Sequence, residues 1–426
     1  MLFATLAFLA SQTPDLPPSS PPPSAAWPAR QGAPRDLQAL LQADPRCAPI
    51  VAKANAHRLQ VLLAEPVVSA DGRVTLVRSA FGEAGRYFYP ASSIKLCGAI
   101  AALLAINQLN GSEGASLGLD SKLVIEPRFD GDKLVQRDAS NRGGVDGGGE
   151  GDGLGDLGGR GHAGLLTVRH ALRKLFLVSD NQAYNHCLEI TGQDGVNEAM
   201  WRAGCRSARL WHRLSEAHPL AENQVTRPVR IDDVRLPGRS AAAKLDNSFL
   251  RDRRIGTGYW AGGRLVEGPM SFDQKNAILL RDLQNVLVEV LRPEVETDGA
   301  GFPGLTMAQR RFLTAVLGEL PRESRNPVYD AGKTPDHACK FVLPGVRRVV
   351  PAEHLRVYDK IGRAYGFSTE NAYIEDERTG RGFFLAIVLY TNPNGVLNDD
   401  RYAYEELADP FLAAVGELVA RAVFGD

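Results

Sequence analysis

Short β-like runs lie near both ends of the chain, and helix-like runs lie between them. The two runs near the N-terminus are separated by Pro66 and by the turn dipeptide Asp71-Gly72, and those near the C-terminus by Thr379-Gly380. The predicted strands are Leu59–Leu63, Arg73–Val77, Asn371–Ile374 and Phe383–Thr391.

Six segments are predicted to be helical from their apolar periodicity and helix-forming composition. In the last of them, Asp409 stands at the N-cap position, Pro410 follows at N1, and apolar residues as far as Val423 share one face. The other five are Ser92–Leu109, Thr167–Val178, Asn181–Ile190, Phe272–Leu291 and Met307–Leu320. Strands at both ends with helices between them favour an α+β layered fold over a βαβ wound sheet.

Changes in composition divide the chain into a leader, a linker and one domain. Residues 1–11 are apolar and resemble a signal peptide that lacks its basic n-region, so we expect a periplasmic or secreted protein. Residues 12–36 are a Pro-rich linker. Residues 37–426 form the domain, which contains a Gly-rich loop at 143–164, predicted to be flexible, and an insert at 229–269. The insert is either a hairpin that borders the functional site or a surface elaboration.

Composition excludes several classes of partner and ligand. The 426 residues are 44% hydrophobic and 23% charged, as in soluble globular proteins. The net charge is -1, from 49 basic and 50 acidic side chains, which argues against a nucleic-acid partner. The apolar run Leu96–Ile106 is too short for a stable membrane span. The five cysteines lack CxxC spacing and the histidines form no HExxH pattern, so we expect no metal and no cofactor.

Three short motifs are each weak evidence of function alone, but their order and their context along the chain strengthen that evidence. The first opens an apolar helix, the second stands at a break between two helices, and the third precedes the C-terminal hairpin. They are Ser92-Ser93-Ile94-Lys95, Ser179-Asp180-Asn181 and Lys360-Ile361-Gly362.

The spacing of Ser92 and Lys95 suits nucleophilic catalysis. Residues i and i+3 of a helix share one face, so the Lys95 amine can lie beside the Ser92 hydroxyl. An amine that is buried near positive charge loses its proton more easily, and it can then activate a serine. The alternative is a helix N-cap serine beside a solvated lysine.

Together, the motifs resemble the S-x-x-K, S-D-N and K-T-G signature of penicillin-recognising serine enzymes. The chain is most similar to class A β-lactamases and β-lactamase-like serine hydrolases, over residues 37–424 and with long inserts. The resemblance implies an α+β fold in which an antiparallel sheet is flanked by helices and joined by an all-α subdomain. It also implies a small-molecule β-lactam or a cell-wall peptide as substrate.

The resemblance assigns the reacting groups. Ser92 becomes acylated, Lys95 is the base, and Ser179 relays a proton to the leaving nitrogen. Asn181 holds the amide side chain of the substrate, and Lys360 orients the substrate carboxylate.

The resemblance also places substrate contacts at Gly362 and at Arg363, which follows the third motif. The backbone N–H groups of Ser92 and Arg363 form the oxyanion hole in this interpretation.

Two positions depart from the family pattern. Ile361 stands where the family has Thr or Ser, so a hydroxyl for the substrate carboxylate is missing. Glu216 is the nearest carboxylate to the family's E-x-x-x-N segment, but position 220 is Leu. Glu216 is therefore the candidate deacylation base, and a solvated loop glutamate is the alternative. The remaining functional alternatives are a D,D-peptidase or esterase on the same fold, and a domain that binds β-lactams or peptidoglycan without hydrolysing them.

Overall fold

The computed structural model describes residues 33–143 and 163–425. Within these ranges the chain forms ten α-helices and fourteen strands. The helices are α1 (Leu37–Gln42), α2 (Ala48–Val51), α3 (Lys95–Glu113), α4 (Val168–Leu177), α5 (Asn181–Arg202), α6 (Leu220–Asn223), α7 (Leu280–Leu291), α8 (Met307–Gly318), α9 (Leu343–Val346) and α10 (Asp409–Phe424). The strands are β1 (Gln60–Val68), β2 (Val74–Phe81), β3 (Leu123–Ile125), β4 (Val229–Ile231), β5 (Val234–Leu236), β6 (Arg254–Ile255), β7 (Gly258–Ala261), β8 (Arg264–Glu267), β9 (Met270–Ser271), β10 (Leu355–Asp359), β11 (Gly362–Ala364), β12 (Phe367–Asp376), β13 (Arg381–Tyr390) and β14 (Val396–Leu397).

The main sheet joins the two ends of the domain. Its strand order is β10-β12-β13-β1-β2, and β11 pairs with β12. Every pairing in it is antiparallel, and Leu62 of β1 lies opposite Ala386 of β13. Sequence-distant strands therefore close the sheet, as the sequence predicted.

Alternate side chains of β13 enter two separate hydrophobic cores. Phe383 and Leu385 pack in a core that includes α1, α9 and α10. Phe384 and Ala386 pack on the opposite face, in a larger core with α3, α4, α5, α7 and α8. The predicted α+β class, an antiparallel sheet flanked by helices with a helical part, is confirmed.

Helix α3 runs through the larger core. A 3₁₀ turn over Ala91–Ile94 precedes it, so the α-helix begins at Lys95, three residues later than predicted. A Cβ added at Gly98 would lie 2.8 Å from the Tyr184 ring of α5, which shows how closely these helices approach. The helical stretch Ala91–Glu113 has the length and composition of a membrane span, but 67% of its most apolar window is buried inside the protein.

Several other predicted boundaries are wrong: α7 begins at Leu280 instead of Phe272, and α5 continues past Ile190 to Arg202. Two further differences have identifiable reasons. Strand β1 continues through Pro66 to Val68, because its pairing with β13 ends at Ala64 and only β2 pairs with the rest. The missing N–H of a proline is tolerated on such an open edge. Helix α10 follows a π-helical turn, and Asp409 is its first residue instead of its N-cap.

The insert at 229–269 consists of short strands. Strands β4 and β5 extend β3, strand β6 pairs with β9, and the β7–β8 hairpin pairs with β14. The predicted signal peptide, most of the Pro-rich linker and nearly all of the Gly-rich loop lie outside the described residues.

Candidate active site

The three motifs meet at the hydroxyl group of Ser179. The Lys360 amine donates a hydrogen bond to the Ser179 Oγ at 2.9 Å, and the Lys95 amine lies 3.2 Å from the same oxygen. Lys95 also donates to the carbonyl oxygen of Ser179. Both lysine side chains are almost wholly buried. Two amines from opposite ends of the domain therefore converge on one serine.

A tight turn presents Ser179 to these amines. Ser179 has a φ of 57°, in the left-handed region that a residue with a Cβ rarely adopts. The next residue, Asp180, caps α5 by accepting a hydrogen bond of 2.8 Å from the Ala183 backbone N–H. Such strain persists where surrounding contacts fix the backbone, and it is concentrated at functional sites.

Gly362 allows β11 to lie directly against the turn that carries Ser92. A Cβ at position 362 would lie 2.2 Å from the Pro90 carbonyl oxygen, 2.8 Å from the Ser93 nitrogen and 3.0 Å from the Ser92 nitrogen. These distances exclude any larger residue unless the backbone moves. The close approach places Gly362, the first residue of β11, beside the amide of Ser92.

The expected contact between Lys95 and Ser92 is replaced by one between Lys95 and Ser179. Ser92 is half-buried, and its hydroxyl makes no hydrogen bond with the parts of the chain that the structure describes. Lys95 directs its N–H groups to the carbonyl and hydroxyl oxygens of Ser179. A neutral amine has two such donors and one lone pair, so the lone pair remains for the proton of Ser92.

Burial and a neighbouring cation keep the Lys95 amine unprotonated at neutral pH. Burial lowers its pKa, and the positive charge of Lys360 lowers it further, to about 6. Lys95 is therefore mainly the free amine at pH 7, which is the form that accepts a proton.

Lys360 remains mainly protonated at neutral pH. Burial lowers its pKa to about 8, and the charge of the neighbouring Asp359 opposes that shift. Lys95, the base, therefore titrates below pH 7, and Lys360, the cation, titrates above it.

A buried charge cluster lies behind Lys360. The Lys340 amine donates to Asp359 Oδ1 at 2.6 Å, and the Glu370 carboxyl accepts from the Val342 backbone N–H at 3.1 Å. Burial and the neighbouring Asp359 raise the pKa of Glu370 well above its usual range. We assign the proton of this acid pair to Glu370, because Lys340 bonds to Asp359.

Ser215, the residue before Glu216, connects the Glu216 loop to Asn181. The Asn181 amide donates to the Ser215 hydroxyl at 2.6 Å, and Glu216 follows Ser215. Both oxygens of Glu216 are engaged, Oε1 by Asn185 at 3.0 Å and Oε2 by Arg227 at 3.1 Å.

His218 also contacts Glu216, with its Nε2 at 3.0 Å from the same Oε2. Burial raises the pKa of Glu216, but Arg227, Asn185 and His218 outweigh that effect and leave it lowered. The structure therefore places Glu216 beside the Asn181 end of the site, with its carboxylate ionised and already bonded.

The side chains of Ile361, in the third motif, and of Arg363, which follows it, turn away from the Ser92 turn. Ile361 packs in the core beneath the sheet, beside Phe341 and α10. The Arg363 guanidinium pairs with Asp409 and lies 4.2 Å from the Phe341 ring centroid. The side chain of Arg363 therefore anchors β11, and the predicted role of its backbone N–H in the oxyanion hole stays a prediction.

Cys339 is a site neighbour that no motif indicated. Its thiol donates to the carbonyl of Leu177, two residues before Ser179, at 3.0 Å. Burial raises its pKa, and the nearby Lys360 opposes that increase. The five cysteines are free thiols, and of these only Cys339 is partly exposed.

Comparison with known proteins supports the same resemblance. Residues 79–234 match the model described as the beta-lactamase enzyme family. This segment is β-lactamase-like. It includes the Ser92 and Ser179 motifs but ends before Lys360, so the third motif rests on its contacts with Ser179. The match confirms the expected resemblance and the enzyme type, a hydrolase like the serine β-lactamases. No curated protein matches the chain.

Several solved β-lactamases resemble the whole chain weakly. One from Desulfarculus baarsii DSM 2075 is 18% identical, with 88% of this chain and 96% of that chain covered and a TM-score of 0.46. One from Xanthomonas campestris pv. campestris is 17% identical, with 91% and 99% covered and a TM-score of 0.46. One from Burkholderia phymatum is 16% identical, with 91% and 97% covered and a TM-score of 0.46.

Proposed function

We propose that the chain is a serine acyl-hydrolase of the class A β-lactamase type, in which a β-lactam or a related amide acylates Ser92. The observation that carries this proposal is the convergence of Lys95 and Lys360 on the Ser179 hydroxyl. A helix N-cap serine with a solvated lysine does not account for it, because the Lys95 side chain is buried and bonded to the second motif.

The acylation step follows from these positions. The neutral Lys95 amine accepts the Ser92 proton as the serine oxygen attacks the substrate carbonyl carbon. The carbonyl C–N bond then breaks, and Ser179 gives its hydroxyl proton to the leaving nitrogen. The proton that Lys95 holds returns to the Ser179 oxygen, 3.2 Å away.

The remaining groups bind the substrate and stabilise the negative charge that develops during the reaction. The backbone N–H groups of Ser92 and Arg363 stabilise the charge that develops on the carbonyl oxygen. Lys360 attracts the carboxylate of the substrate, and Asn181 bonds to its amide side chain. Because Ile361 lies in the core, Lys360 binds the substrate carboxylate without the hydroxyl group that the family has at position 361.

Hydrolysis of the acyl-enzyme requires a base for water, and Glu216 is our candidate. Its two oxygens already accept bonds from Asn185, Arg227 and His218, so a water molecule must compete for them. We therefore propose that deacylation is slow. The same observation favours a second candidate function, a β-lactam-binding domain that becomes acylated and is not turned over.

Intact-mass measurement with benzylpenicillin tests the proposal. We expect the wild-type chain to gain the mass of one penicillin on Ser92 and the Ser92→Ala variant to gain none. Loss of the adduct within minutes supports the hydrolase, and an adduct that persists for hours supports the binding domain. A wild-type chain that gains no mass and consumes no penicillin contradicts both, and it leaves a D,D-peptidase or esterase to be tested with peptide and ester substrates.

A further inference from the structure

A cavity of about 710 Å³ adjoins the candidate active site. The loop that carries Glu216 forms one wall, with His212 and His218, and the segment that contains Asp273 and Lys275 forms the other. This second wall follows directly after the insert at 229–269, whose relation to the site the sequence left open.

Three contacts connect the walls of this cavity to the residues of the site. Ser215, next to Glu216, accepts the hydrogen bond of Asn181. The ring of His212 stacks on that of Tyr89, three residues before Ser92, with 6.3 Å between centroids. The Lys275 amine lies 5.8 Å from the ring centroid of Tyr365, two residues after Arg363.

The second wall is held in place by packing and by hydrogen bonds. The ring of Phe272 lies 5.9 Å from that of Tyr89 and 5.4 Å from that of Tyr365. The Asn276 side-chain oxygen accepts from the backbone N–H of His212 at 3.1 Å. The cavity is therefore built by ordered elements on both sides of the Ser92 turn.

The charges that line the cavity leave one cation unmatched. Glu216 is bonded to Arg227, and Asp273 is paired with Arg253 at 2.5 Å. Lys275 has no ion pair and no side-chain hydrogen bond within residues 33–143 and 163–425. The His212 Nδ1 lies 2.6 Å from the Arg213 carbonyl oxygen, and its buried Nε2 has no hydrogen-bond partner there.

We propose that this cavity is an acyl-side subsite in which Lys275 binds a carboxylate on the acyl group of the substrate. The subsite rests on the proposed function, since it adjoins the group expected to bind the acyl amide, Asn181. A carboxylate of the substrate forms the ion pair that Lys275 lacks, because it brings a negative charge to a partly buried, positively charged amine. The substrate class is therefore an amide or lactam with an anionic acyl side chain.

The test compares two penicillins that differ by one carboxylate. Carbenicillin carries a carboxylate on the carbon next to the acyl carbonyl, and benzylpenicillin carries hydrogen there. Second-order acylation rates are measured by intact mass for the wild type, for Lys275→Met and for Lys244→Met. Lys244 is an exposed lysine of the insert at 229–269, and its replacement removes the same charge away from the cavity.

We expect carbenicillin to acylate the wild type and Lys244→Met about five-fold faster than benzylpenicillin, as one partly exposed ion pair provides. We expect a ratio near one for Lys275→Met. Equal ratios in the wild type and Lys275→Met overturn the subsite and leave the proposed function standing. If neither penicillin acylates the wild type and neither is consumed by it, the proposed function is overturned, and the subsite with it.

Discussion

The Lys360 amine lies 2.9 Å from the Ser179 hydroxyl oxygen, although the two residues are 181 positions apart in the chain. This contact joins β10 and β11 of the sheet to the turn between α4 and α5 in the helical part. It also places a cation close enough to lower the pKa of the buried Lys95. One hydrogen bond thus connects the architecture of the fold to the protonation state of the expected base.

Replacing Lys95 by Met removes the base and preserves the shape of the side chain. We expect acylation of Ser92 to fall by about 100- to 10,000-fold, the range that general-base catalysis supplies. The free energy of unfolding should change little or increase, because burying a lysine is unfavourable. Stopped-flow acylation and urea denaturation measure the two quantities, and normal acylation by this variant excludes Lys95 as the base.

A methyl group at position 362 should displace β11 from the Ser92 turn. Gly362→Ala places a Cβ 2.2 Å from the Pro90 carbonyl oxygen, so the strand or the turn must shift. A displacement of about 1 Å costs about 100-fold in rate when the reacting groups are misplaced. Gly111→Ala, a position with no atom near the added Cβ, is the control and should retain the wild-type rate. Equal acylation by both variants contradicts the proposed geometry.

The loop that carries Glu216 depends on a buried ion pair. Glu189 accepts from Arg213 at 2.8 Å, and both side chains are at most 3% exposed. Glu189→Gln leaves buried arginine charge unmatched, which costs about 3–5 kcal/mol of unfolding free energy. Glu198→Gln on the same helix removes an exposed pair with Arg202 and should cost less than about 1 kcal/mol. Urea denaturation of the two variants gives the comparison, and similar midpoints are incompatible with this interpretation.

Glu216→Gln separates acylation from hydrolysis. If Glu216 directs the deacylating water, the variant should form the acyl-enzyme at the wild-type rate and lose it about 100-fold more slowly. The decay of the adduct mass after removal of free penicillin measures this rate. Unchanged decay means that the carboxylate only anchors the loop through Arg227 and His218.

The sequence was informative where local chemistry decides the structure. The β1 and β13 strands, α8 and the Ser179 break follow from periodicity and turn residues, and the motif order predicted which segments would meet. Long-range packing decided the rest. No local pattern indicates that Pro66 lies on an open strand edge, or that Lys95 bonds to Ser179 instead of Ser92.

The sequence also missed the groups that tune the site. Asp359 stands next to Lys360, but its pairing with Lys340 and its contact with Glu370 depend on the register of three strand and loop segments. Lys275 follows an insert without a motif, and only the folded chain places it near Tyr365. Such contacts carry no short-range signal.

The pH dependence of Ser92 acylation tests the central claim, that Lys95 is a neutral base because it is buried beside Lys360. The second-order rate constant should rise as pH increases through about 6, where Lys95 loses its proton. It should fall as pH increases through about 8, where Lys360 loses its proton. Lys360→Arg, which keeps the cation at high pH, should retain the lower limb and lose the upper one.

Lys360→Met should move the lower limb to higher pH, because the pKa of Lys95 increases once the neighbouring cation is gone. This shift, measured by acylation rates between pH 5 and pH 10 at roughly half-unit steps, is the most direct evidence that the two amines interact. A lower limb at the same pH in the wild type and in Lys360→Met would contradict the account.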